Sequence, residues 1–123
     1  MKKKILLVED HQVTIDLLKQ ALELLGYDVM VAKNGLQAVE KAGAELPDLI
    51  VMDIAMPKMD GLEATSQIRK NPKTQGIPIL AATARIAQAN REQCLAGGCD
   101  EYIAKPFTHR ELGAIIRKLV GDQ

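Results

Sequence analysis

Only two of the 123 residues are cysteine, neither sign of charge is in excess, and the chain opens without a long apolar run. Each shortage closes off a class of protein. Cys94 and Cys99 cannot build a disulfide framework or a four-ligand zinc site, and they read as reduced packing residues. The opening Met1 to Lys4 is followed by four apolar residues, Ile5 to Val8, and then by acids, which fits neither a secretory leader nor a membrane-spanning helix. A cytoplasmic protein with no membrane insertion is expected. Sixteen basic and sixteen acidic side chains cancel, so no global field favours nucleic acid or an anionic membrane, and any partner must be met by a local surface. Internal repeats, linkers and low-complexity tracts are also missing. With 47% apolar residues, the expectation is one domain over residues 1–123 with a core of its own.

What is present is an alternation of strand and helix signals, repeated five times. Buried strands are expected over 5–8, 49–52, 77–82 and 102–104, and a more amphipathic one, nearer an edge, over 28–32. Helices are expected over 12–25, 36–44, 62–70 and 87–95, with Asn34 capping the second. Thr108 caps a last helix whose buried stripe is Leu112, Ile115, Ile116, Leu119 and Val120. Gly26, the run 71–76 and Gly97-Gly98 act as stops. Such alternation predicts an α/β fold, a parallel sheet with helices on both faces.

The central stretch is Leu49 to Gly61. Four apolar residues end abruptly at Asp53, and Pro57 and Gly61 belong to the loop that follows. In a parallel sheet all carboxyl ends of the strands share one edge, where ligands collect. Glu9, Asp10, Asp53, Thr83 and Lys105 therefore converge. Three crowded carboxylates repel one another unless a cation offsets them, and oxygen ligands completed by water and phosphate suit magnesium. A carboxylate can itself be the nucleophile that accepts a phosphoryl group, with a hydroxyl at Thr83 and an ammonium at Lys105 as donors to its oxygens. His11 lies beside the acids, but the oxygen-rich site suits magnesium without it, and it reads as an exposed loop residue. His109 reads as surface.

The acid pair Glu9-Asp10, the Asp53 motif with Pro57 and Asp60-Gly61, Thr83-Ala84, and Lys105-Pro106-Phe107 resemble, over essentially the whole chain, the receiver domain of bacterial two-component response regulators. The resemblance implies a flavodoxin-like, doubly wound (βα)5 fold with the strand order 2-1-3-4-5. It also implies a stand-alone, monomeric switch in which Asp53 takes phosphate from a histidine of a sensor kinase or phosphotransfer protein and then engages a downstream protein target. Asp10, Asp53 and the backbone carbonyl of Ala55 would bind Mg2+, with Glu9 helping through water. Thr83 and Tyr102 would form the switch, and Ala55 and Arg85 would flank the phosphoryl group.

Helical geometry adds one surface. Val13, Leu17 and Leu24 lie about a quarter turn from the core stripe of the first helix, where they can be exposed and receive a helix of the phosphodonor. Other classes fit less well. An aspartyl-phosphate phosphatase has a second Asp where this chain has Ala55, and a flavin phosphate needs donors where this chain has Glu9-Asp10. A phosphorylation-independent binding module would be expected to have lost parts of the site.

Overall fold

A computed structural model describes residues 2–53, 61–83, 92, 95–104 and 107–121. Five strands, β1 (Lys4–Val8), β2 (Asp28–Ala32), β3 (Leu49–Asp53), β4 (Ile79–Thr83) and β5 (Glu101–Ala104), form one sheet. All neighbours are parallel, and the order is β2-β1-β3-β4-β5. This is the doubly wound flavodoxin-like arrangement, and the amphipathic strand β2 does lie at an edge.

Four helices are described: α1 (Gln12–Leu24), α2 (Gly35–Glu45), α3 (Gly61–Lys70) and α4 (His109–Val120). The period of two along each strand divides the core between the two faces. Leu6, Val8, Ile50, Met52, Ile79 and Ala81 pack with Ala38 and Ala42 of α2 and Ala64 and Ile68 of α3. Ile5, Leu7, Leu49, Val51, Leu80 and Ala82 pack with Leu18 and Leu22 of α1 and Leu112 and Ile116 of α4. Strand β3 is buried on both faces, which accounts for its unbroken apolar run. The Asn34 side chain caps α2 by accepting from the Gln37 amide at 2.9 Å. At α4, Thr108 and Glu111 form a reciprocal capping box.

One strand begins later than expected. Ile77 and Pro78 lie outside β4, because the Ile77 amide closes a turn onto the Thr74 carbonyl and Pro78 has no amide hydrogen to give to the ladder. Strand β5 starts one residue earlier, at Glu101. The helix expected over 87–95 falls largely outside the described residues, as do Cys94 and the loop from Ile54 to Asp60. Cys99 is buried in the core beside Thr65. Among the described residues, no helix is long and apolar enough to cross a membrane.

Candidate functional site

The register fixes which residues meet at the carboxyl edge of the sheet. Val8 pairs with Met52, so Glu9 and Asp53 leave adjacent strands at the same level. Asp53 pairs with Ala82, one residue before Thr83, and Thr83 pairs with Ala104, the residue before Lys105. Positions far apart in sequence are thus brought to one edge. Lys105 and Ala55 themselves lie outside the described residues, as do Pro57, Ala84, Arg85 and Pro106, and Thr83 is placed through its backbone.

The two acids at the strand tips are buried. Glu9 is 2% exposed and Asp53 8%. Removing carboxylates from water is costly without compensating partners, and Glu9 has some of them in the loop that follows. Its Oε2 accepts from the amide of Asp10 at 3.2 Å and of His11 at 3.3 Å. Its own amide donates to the Ala32 carbonyl of the edge strand at 3.0 Å, which fixes where the strand tip sits. Asp10 is half-buried above it. Ligand atoms of Glu9, Asp10 and His11 all lie within 4.8 Å of one another. A donor set dominated by carboxylate oxygens, partly withdrawn from solvent, fits a hard divalent cation such as magnesium.

His11 is exposed, as its loop position implies, but its ring is directed. It occupies the N-cap position of α1 and makes no side-chain cap bond to that helix. Instead its Nδ1 lies 3.7 Å from Asp10 Oδ1 and 3.9 Å from Glu9 Oε2. Residue order alone does not reveal this, because the ring direction depends on the backbone turn between β1 and α1.

Tyr102 of β5 is half-buried and packs against the core on the α2 and α3 face. Val13 and Leu17, on the first turns of α1, are 73% and 62% exposed, and Leu24 is exposed with them. The apolar strip expected from helical geometry is therefore solvent-facing, and its upper end lies next to the acid pair. His109 is also exposed, at the start of α4.

Comparison with known proteins bears on the family. The family model for the response regulator receiver domain matches residues 5–117. The polar-differentiation response regulator DivK of Brucella anthropi is 34% identical over 122 residues, which is 99% of each chain. The Bacillus subtilis transcriptional regulatory protein PhoP, of alkaline phosphatase synthesis, is 41% identical over 98% of this chain, which spans only 49% of that relative. Among solved structures, the receiver domain of a Pseudomonas aeruginosa sensor histidine kinase superposes with a TM-score of 0.93 at 39% identity, covering 99% of this chain and all of that one. That structure has a magnesium ion coordinated in its active site cleft.

Proposed function

Because the chain belongs to the receiver-domain family of two-component response regulators, we propose that it is a phosphorylatable switch whose phosphoacceptor is Asp53. The observation that carries this reading is the burial of Asp53 at the tip of β3, level with the buried Glu9 and beside the Glu9-Asp10 loop. An Asp53 carboxylate oxygen attacks phosphorus of a phosphohistidine on a sensor kinase or phosphotransfer protein. The new O–P bond forms as the P–N bond breaks, and the imidazole leaves with the electron pair. A magnesium ion, when bound, would offset the clustered carboxylates and the charge that develops on the transferred group. Asp10, Asp53 and the Ala55 carbonyl would hold it, with Glu9 acting through water. Lys105 and the Thr83 hydroxyl would donate to the phosphoryl oxygens.

Phosphorylation then biases a two-state surface. Thr83 turns toward the new group, and Tyr102 moves inward, changing the face offered to a downstream protein target. Val13 and Leu17 would receive a helix of the donor. Leu17→Ala should slow phosphotransfer from the cognate donor while leaving modification by a small donor intact, and unchanged transfer from the cognate donor would remove the strip from the mechanism.

The core of the proposal is tested by incubation with magnesium and acetyl phosphate, followed by intact mass. One added phosphoryl group is expected, absent without magnesium and absent in Asp53→Asn. No addition, even with rapid quenching, would leave a phosphorylation-independent binding module in its place.

A further inference from the structure

We propose that the outer edge of β2 is a self-association surface that two side chains of α2, Gln37 and Lys41, hold shut. Strand β2 ends the sheet, so one side of its backbone faces β1 and the other has no neighbouring strand. The bonds at its two ends fix which residues face which way. The Asp28 amide donates to the Lys3 carbonyl and the Glu9 amide donates to the Ala32 carbonyl, each at 3.0 Å. Main-chain polar groups alternate sides along a strand, so Asp28, Met30 and Ala32 face β1 while Val29, Val31 and Lys33 face outward. Such an outward row of amides and carbonyls is a template for a further strand.

Helix α2 closes part of that row. Lys41 Nζ donates to the Val31 carbonyl, and one turn earlier Gln37 Oε1 accepts from the Lys33 amide at 2.8 Å. Residues four apart share a helix face, so both side chains reach the edge from the same side of α2. Among the described residues, Val29 and the Val31 amide are left as the open part.

The occupant that fits this edge is a second copy of the chain. Two β2 strands laid antiparallel about Met30 put Val29 of each copy opposite Val31 of the other, and each such pair exchanges main-chain bonds in both directions. Half of those bonds end on a Val31 carbonyl, the group that Lys41 already holds. The strand itself, DVMVA, is rich in β-branched residues and has no proline, so its own chemistry does not oppose pairing. Nor does the charge of the whole chain, since sixteen basic and sixteen acidic side chains leave no net repulsion between copies. A local guard is therefore needed, and an ammonium serves because a second strand laid over it would strip it of water. Lys41 is exposed, so no core packing depends on it.

The test is sedimentation velocity of the full, unphosphorylated chain over about a hundredfold range of concentration, on the wild type, Lys41→Ala and Lys41→Arg. Alanine keeps the helix and adds no apolar patch, whereas arginine keeps a donor for the same carbonyl. The wild type and Lys41→Arg should sediment as monomers, and Lys41→Ala should self-associate at least about tenfold more tightly. Adding Gln37→Ala should tighten the association further. Amide hydrogen exchange at Val29 and Val31 should slow as the Lys41→Ala concentration rises. Lys41→Met, which keeps an unbranched side chain without its charge, gives the same reading should alanine disturb α2. A folded, charge-free variant that stays monomeric overturns the proposal. So does association that leaves exchange at Val29 and Val31 unchanged, or a wild type that already dimerises through these two residues.

Discussion

Arg69 joins three parts of the chain through one side chain. Its Nε donates to the Gly98 carbonyl at 2.9 Å, Nη1 to the carbonyls of Gln75 and Ile77 at 3.0 and 2.6 Å, and Nη2 to Asp100 Oδ2 at 2.7 Å. The same Asp100 oxygen accepts from the Ile79 amide at 2.8 Å, where β4 begins. A Cβ at Gly98, whose φ is +111°, would stand 3.0 Å from Arg69 Cγ, so glycine is required twice over. Asp100 is half-exposed, so the ion pair itself contributes little. The partly buried carbonyls decide the matter, since they lose their donor. Arg69→Ala should cost about 2–3 kcal/mol in urea denaturation, and Arg69→Lys should recover little, because a point charge cannot replace the planar fork. A cost below about 0.5 kcal/mol would show that water replaces these bonds. None of this was legible in the sequence, where Arg69 is a cation in a last helical turn and Asp100 a loop acid 31 residues away.

Among the elements, the sequence was clearest where a local rule acts alone. The caps at Asn34 and Thr108, the both-faces burial of β3 and the edge position of β2 all follow from side chains within a few residues of each other. It was least clear where backbone conformation or tertiary partners decide. Ile77 has the character of a strand residue, but the turn from Thr74 and the demands of Arg69 hold it outside β4. Leu46 ends α2 in the left-handed region at φ 48°, a conformation that costs a branched side chain and suits glycine or asparagine. It is also half-exposed, so little packing is lost on replacing it. Leu46→Asn should therefore stabilise the protein by about 0.5–1 kcal/mol. A lower midpoint in chemical denaturation would mean that the Leu46 side chain packs more productively than its exposure indicates.

At the scale of the whole molecule, two apolar faces hold a sheet whose carboxyl edge gathers acids that repel one another. In metal-free buffer, Asp10→Asn should raise the stability by about 1 kcal/mol, and it should abolish the extra stability that magnesium confers on the wild type. A destabilised variant would show that Asp10 is held by favourable contacts rather than strained by its neighbours. This gathering was legible in the amino-acid sequence, because alternating strand and helix signals imply parallel strands and parallel strands share their tips. The direction of the His11 ring was not, since it depends on a single turn.

The central claim is that Asp53, and no other acid at that edge, carries the phosphoryl group. Borohydride reduces an aspartyl phosphate to homoserine, which peptide sequencing by mass spectrometry can locate after treatment with magnesium and acetyl phosphate. Homoserine at position 53 alone is expected. Homoserine at position 10, a reduced Glu9, or no reduced residue under conditions that add a phosphoryl group would contradict it.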